Sequence, residues 1–226
     1  MLILSCEHAS NEIPKKYQYL FSQNRDILNS HRGYDPGAKD LFEYLKVLGD
    51  FYSNLNISRL LVEVNRSIPH PHLFSEFTKG LPSVEKNKII ASWYKPYRAE
   101  VEDRINKFID KGEKVMHLSV HTFTPILNGE TRNADIGLLY DPSSKVEKVF
   151  CKDLRSNLKE ANPDLKIRFN YPYLGKADGF TSYLRKKLPE DYAGIELEIN
   201  QSFVKHNRMN ENLKEAVFNA LQKTLK

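Results

Sequence analysis

The chain is poor in cysteine: Cys6 and Cys151 are its only two in 226 residues. Two cysteines build no disulfide framework, so a reducing, cytoplasmic setting is expected. Long hydrophobic runs are also lacking. No apolar stretch approaches the roughly 18 residues that a membrane span needs, and no membrane association is expected. No basic segment precedes the apolar run Met1–Leu4, so no secretory signal is expected either. Charge of one sign never accumulates. The 34 Lys and Arg residues exceed the 29 Asp and Glu by five, but they are scattered, with no basic stripe interleaved with aromatics. A nucleic-acid partner is therefore not expected, whereas a small anionic substrate suits the positive balance. Internal repeats, linkers and low-complexity segments are missing too. At 40% hydrophobic and 28% charged residues, the composition fits one globular domain over residues 1–226.

What is present is an alternation of strand and helix patterns. Met1–Leu4 is a short unbroken apolar run, which reads as a strand buried on both faces. Further strands are expected at 57–64, 115–121, 134–140, 165–169 and 193–199. Helices are expected at 84–111, 143–157, 180–187 and 209–225, with an irregular helical stretch over 14–28. Asp35 before Pro36 reads as a helix N-cap with Pro in the first turn. That helix carries Leu41, Tyr44, Leu45 and Leu48 at helical spacing and stops at Gly49. The stripe Ile89, Trp93, Tyr97, Val101, Ile105 and Phe108 reads as core. Strands alternating with helices predict an α/β fold with a largely parallel sheet covered by helices on both faces.

The chemistry-bearing residues gather where these strands end, which is where sites form in open α/β sheets. His8 follows the first strand, with Cys6, Glu7 and Asn11 beside it. Cys6 lies close to the buried strand and reads as a small core residue. His117, Ser119 and His121 alternate onto one strand face, and His121 ends that strand. Glu196 and Glu198 share a face of the last strand, opposite Ile195, Leu197 and Ile199. Arg59, Leu61, Glu63 and Asn65 share a face of the strand expected at 57–64, where an arginine can present a planar fork to a carboxylate. The compact His-Glu-x-x-His signature is absent. Two histidines and a carboxylate from separate strand ends can nonetheless hold a zinc ion and leave a position for water.

The ordered set of short motifs resembles the N-formylglutamate amidohydrolase family. The segments are Cys6-Glu-His-Ala-Ser-Asn11, Gly33-Tyr-Asp35-Pro-Gly-Ala38 and Ser58-Arg-Leu-Leu-Val-Glu-Val-Asn65-Arg66. They continue as Ser119-Val-His121-Thr, Asp135-Ile-Gly137, Asn170-Tyr-Pro-Tyr173 and Glu196-Leu-Glu198-Ile-Asn-Gln201. The family is similar in turn to the zinc carboxypeptidases and to the acylglutamate and acylaspartate deacylases. The resemblance implies a three-layer α/β/α sandwich around a mixed sheet, one zinc ion, and hydrolysis of the linear amide of a small N-acyl amino acid. It implies His8 and His121 as zinc ligands, and Asp35 is taken as the third, with Glu7 and Asn11 as the alternatives. It implies Asn65 and Arg66 as binders of the substrate carboxylate, and Asn170, Tyr171 and Tyr173 as pocket residues. Glu198 is the expected base, Glu196 the fallback, and Arg59 a second cation for the carboxylate or the oxyanion. Carboxypeptidases place a ligand glutamate three residues after the first histidine, where this chain has Asn11. Ser119 stands where many relatives have aspartate, and Asn200-Gln201 replaces the commoner Asn-Arg. The competing readings are a carboxypeptidase-like metallopeptidase and a metal-free binder of small anions.

Overall fold

The computed structural model describes all 226 residues, Met1–Lys226. The first half of the chain forms β1 (Leu2–Cys6), a 3₁₀ helix (Lys15–Phe21), α1 (Arg25–Leu28), α2 (Ala38–Leu45), β2 (Phe51–Asn54), α3 (Ser83–Ile89) and α4 (Lys95–Ile109). The second half forms β3 (Val115–Phe123), the hairpin β4 (Ile126–Leu127) and β5 (Glu130–Thr131), β6 (Ile136–Leu139), α5 (Lys145–Ala161), β7 (Ile167–Phe169) and α6 (Phe180–Lys187). It closes with β8 (Tyr192–Asn200), the hairpin β9 (Val204–Lys205) and β10 (Arg208–Met209), and α7 (Glu211–Thr224).

Six strands make one sheet in the order β2-β1-β3-β8-β6-β7. β2, β1, β3 and β8 run parallel, β6 pairs antiparallel to β8, and β7 is parallel to β6. The sheet is thus largely parallel, as the sequence pattern implied, and mixed, as the family resemblance implied. Helices cover both faces, giving three layers. Alternation along each central strand divides its side chains between two cores. Leu2, Leu4, Leu118, Val120, Ile195, Leu197 and Ile199 pack with α2, α5 and α7. Ile3 and Val115 pack on the other side with α4, α6 and the 3₁₀ helix. On that second face, His117, Ser119 and His121 of β3 lie beside Glu196 and Glu198 of β8, with His121 opposite Glu198 in register. The polar face of the central strands therefore points into the protein near their carboxyl ends.

Three local expectations are corrected. Residues 57–64 form consecutive turns, and the edge strand is the preceding Phe51–Asn54, which the pattern did not mark. The backbone donors of 57–64 are satisfied without a ladder. Arg59 N–H bonds the Gly33 carbonyl, Glu63 N–H bonds that of Leu73, and Leu61 N–H bonds that of Ser58. A short buried apolar run does not by itself specify a strand. Asp35 is not a cap: the N-cap of α2 is Gly37 at φ +81°, and the Asp35 carboxylate turns inward. The expected helix over 84–111 is α3 and α4 joined by a wider π turn at Ile90–Tyr94. Pro96 has no N–H for the Ser92 carbonyl one turn back, which accounts for the irregular turn.

Gly137 of β6 pairs with Glu198 and lies under the 170–175 loop. A Cβ there would strike the Tyr171 carbonyl oxygen and approach Glu198 Cβ at 3.2 Å. Gly137→Ala should lower stability by about 1–3 kcal/mol through overpacking. Thermal melts of the two proteins check this, and an unchanged melting temperature would contradict the close approach.

Candidate active site

Three side chains from distant parts of the chain meet at the carboxyl edge of the sheet. His8 lies just beyond β1, Asp35 in the loop before α2, and His121 in β3. Asp35 is held there by its own N–H, which donates to the His8 carbonyl at 3.0 Å. Its Oδ2 accepts from His8 Nδ1 at 3.2 Å, from His121 Nδ1 at 2.9 Å and from Thr122 N–H at 3.3 Å. All three residues are buried, and their ligand-capable atoms lie within 4.8 Å of one another, so they form a cluster able to hold a metal ion.

The outer nitrogens of both histidines also face carboxylates. His8 Nε2 donates to Glu63 Oε1 at 2.6 Å. His121 Nε2 donates to Ser119 Oγ at 2.8 Å, Ser119 donates to Glu7 Oε2, and Glu7 Oε2 lies 3.2 Å from His121 Nε2. Tyr97 OH donates to the other Glu7 oxygen at 2.9 Å. Glu63 in turn accepts from Arg59 Nε at 2.7 Å, while Arg59 Nη1 reaches Asp35 Oδ1 at 3.4 Å. This gives a ring of alternating charge through Arg59, Glu63, His8 and Asp35, extended from Asp35 through His121 to Glu7.

The pKa shifts follow from that alternation. Burial alone would raise the carboxyls of Glu7, Asp35 and Glu63, but their histidine and arginine partners hold all three below the usual range. Burial would lower the histidines. Asp35 and Glu63 nevertheless raise His8, and Asp35 and Glu7 raise His121 well above the ordinary value. Glu198 is the exception among the carboxyls. Burial pushes it up to about 8, and its Oε2 has no hydrogen-bond partner although the residue is only 5% exposed. A buried polar atom without a partner is rare enough to need a reason.

The cluster lines a cavity of about 270 Å³, together with Arg59, Asn65, Arg66, Tyr173, Asp178, Glu196 and Glu198. A larger groove of about 480 Å³ opens at the opposite edge, around Leu2, Val115 and Tyr192 at the strands' amino ends. Its lining is mostly apolar, and the metal-capable cluster is not there. The loop carrying Asn65 and Arg66 is fixed from below by Arg98, whose Nη1 donates to the Val64 and Arg66 carbonyls at 3.0 and 3.2 Å. The Arg98 guanidinium lies 4.4 Å from the ring centres of both Phe180 and Tyr183. Asn65 Oδ1 accepts from Phe180 N–H at 2.7 Å, so its amide nitrogen is the end left for other partners.

Of the residues expected here, the structure brings His8, Asp35, His121, Arg59, Asn65, Arg66, Tyr173, Glu196 and Glu198 to one cavity. Asn170 and Tyr171 stand outside it. Asn170 Oδ1 caps the Tyr140 and Gly175 N–H groups at 3.0 Å each, and Tyr171 stacks under Arg168 at 4.0 Å. Among the alternative ligands, Glu7 lies on the far side of His121, and Asn11 bonds Asn29 at 2.8 Å near the surface. Sequence reasoning missed Glu63 and Ser119 as partners of the histidines, and it read Tyr97 as core alone. The four-residue spacing of Arg59 and Glu63 was the available signal for one of them, since that spacing allows an ion pair in a helical turn.

A metal-capable cluster thus lies beside an unpartnered buried carboxyl at the carboxyl edge of the α/β sheet. The family model of N-formylglutamate amidohydrolase matches residues 1–204, and the chain belongs to that family. The fold is similar to the crystal structure of gene product Atu2144 from Agrobacterium tumefaciens, with a TM-score of 0.81 and 26% identity, covering 99% of this chain and 90% of that one. It is also similar to N-formylglutamate amidohydrolase from Ralstonia eutropha JMP134, with a TM-score of 0.71 and 16% identity, covering 99% of this chain and 92% of that one. No curated protein matches the sequence.

Proposed function

We propose that the protein is a zinc-dependent amidohydrolase cleaving the linear amide of a small N-acyl amino acid. The observation that carries this is the unpartnered Glu198 Oε2 in the cavity that also holds His8, Asp35 and His121. The donor set fits zinc on two counts. First, tetrahedral zinc with bonds near 2.0–2.1 Å spaces its ligand atoms about 3.3 Å apart. Asp35 Oδ2 already lies 3.2 and 2.9 Å from the two Nδ1 atoms. Second, exchange of two imidazolium protons for one divalent ion leaves the charge of the chain from Arg59 to Glu7 unchanged. Glu63 and Glu7 on the outer nitrogens are the partners that zinc-bound histidines usually have.

Zinc, when bound, supplies a Lewis acid that polarises the scissile carbonyl and lowers the pKa of water toward ~7. The chain's own residues do the rest. The Glu198 carboxylate takes the proton of the attacking water and delivers it to the leaving amine nitrogen. Arg66 receives the substrate carboxylate and fixes the amide relative to Glu198. Arg59, anchored on Glu63, places positive charge at the cavity wall where the carbonyl oxygen gains negative charge. A cavity of about 270 Å³ suits a small substrate better than a peptide chain.

The test is a hydrolysis screen of zinc-loaded protein against N-formyl, N-acetyl and N-succinyl amino acids; cleavage of none of them rejects the reading. Two variants probe the parts. Glu63→Gln keeps the shape but weakens the His8 contact, and it should weaken zinc affinity by about 10–100-fold. Competition against a chelator measures this, and unchanged affinity would remove Glu63 from the design. Arg66→Lys keeps the charge and loses the planar fork, so KM should rise for carboxylate substrates. The same rise for a substrate without the carboxylate would refute the assignment.

A further inference from the structure

We propose that this cavity selects N-acyl amino acids whose side chain is neutral or cationic and discriminates against a second carboxylate, such as the one glutamate carries. The inference rests on the amidohydrolase reading above and departs from what the family's name implies. Two guanidinium groups line the cavity, Arg59 and Arg66. Arg59 is matched by Glu63 Oε2 at 2.6 Å and Asp35 Oδ1 at 3.4 Å. Arg66 donates to the main-chain oxygen of Asp178 and forms no ion pair. The lining thus offers one guanidinium free for one substrate carboxylate.

The surroundings of that guanidinium are acidic. The Asp178 carboxylate is pinned by Ser67, accepting from its N–H at 3.0 Å and its hydroxyl at 2.7 Å. Glu196 Oε1 accepts from the Thr181 hydroxyl at 3.1 Å and lies against Gly179, next to Asn65. A substrate held by its α-carboxylate on Arg66 therefore has Asp178 and Glu196 as charged neighbours, with Tyr173, Leu174 and Ala177 completing that part of the wall. A second carboxylate would face two like charges in a partly dehydrated site, an arrangement that rejects partners strongly. An amide or an amine would instead find acceptors. Arg132, a third guanidinium, is bonded to the Tyr173 hydroxyl at 3.1 Å but is not part of the lining.

The experiment compares kcat/KM of zinc-loaded protein for N-formyl-L-glutamine and N-formyl-L-glutamate, which are nearly isosteric and differ by one charge. The expected result favours glutamine by about tenfold or more. Asp178→Asn should narrow that ratio, and a ratio taken within one variant is insensitive to its folded fraction. Equal rates, or a preference for glutamate, overturn the inference. A glutamate preference that disappears in Arg132→Ala would show that the rim arginine reads the second carboxylate. If neither compound is cleaved, the full acyl screen above decides the amidohydrolase reading, and calorimetric affinities of the zinc-loaded protein for the same pair decide the charge preference separately.

Discussion

Glu198→Gln should lower kcat by about 10²-fold or more, the scale of lost general-base catalysis, while zinc and the substrate carboxylate still bind. Glutamine keeps the size of the side chain and its place opposite His121 in the sheet. It cannot accept a proton from water. The neighbouring Glu196 does not substitute readily, because one of its oxygens is engaged by Thr181. The pH profile adds a second readout. Burial pushes Glu198 up to about 8 in the metal-free protein, and a bound cation beside it draws that value down. The acidic limb of kcat in the loaded enzyme then reports this carboxyl losing its proton, and the variant should lack that limb. Steady-state kinetics with metal analysis checks both points. Normal turnover in Glu198→Gln with a dead Glu196→Gln would exchange the two roles, and full activity in both variants would end the mechanism.

His121→Ala should abolish stoichiometric zinc and reduce activity to background, without global unfolding. The side chain supplies one of three clustered ligand atoms, and two ligands do not hold zinc against dilution. Circular dichroism and elemental analysis together check this, and full zinc occupancy in a folded variant would sink the assignment. The same site sets a pH dependence whose sign can be worked out. His8 and His121 are raised above their ordinary 6.5 by Asp35 and by Glu63 or Glu7. Their contribution to stability is complete below about 6.5 and is lost as pH rises through the folded values. Glu198, a raised carboxyl, costs stability that builds up from its ordinary 4.5 to about 8 and persists above that. The metal-free protein should therefore melt lower as pH rises from about 6 to 8. Zinc needs the same groups deprotonated, so its affinity, and the increase it gives in melting temperature, should grow over that window. A zinc-induced shift that shrinks from pH 6 to 8 would contradict the ligand set.

Helix α6 occupies 180–187 as expected, β3 extends its expected strand by two residues at the C-terminal end, and β8 extends its own by one residue at each end. These elements were legible because each has a periodic pattern that a core confirms locally: apolar residues every second position in the strands, every third or fourth in the helix. Residues 51–64 were not legible in the same way. Phe51–Asn54 is a half-exposed edge strand whose pattern is too short to stand out, and Leu60–Val62 are buried without belonging to the sheet. The sequence offered a better strand in the wrong place because burial, not backbone pairing, is what an apolar run records.

The sequence by itself determined which face of β3 and β8 is polar, and so put His121, Glu196 and Glu198 on one side of the sheet. It also placed His8 at a strand end and carried the motif order of the family. Only the tertiary structure decided what each of these groups touches. Asp35 could have been a helix cap, yet its carboxylate lies between His8, 27 residues away, and His121, 86 residues away. Glu63 and Glu7 could each have been surface charges or ligands, and the fold sets them on the outer nitrogens of the two histidines. Glu198 was left without a partner while Glu196, two residues earlier on the same face, was given Thr181. Periodicity is a property of neighbours along the chain, whereas a hydrogen bond, an ion pair or an unmatched carboxyl is a property of neighbours in space. The packing of loops and helices onto the sheet is what brings those spatial neighbours together.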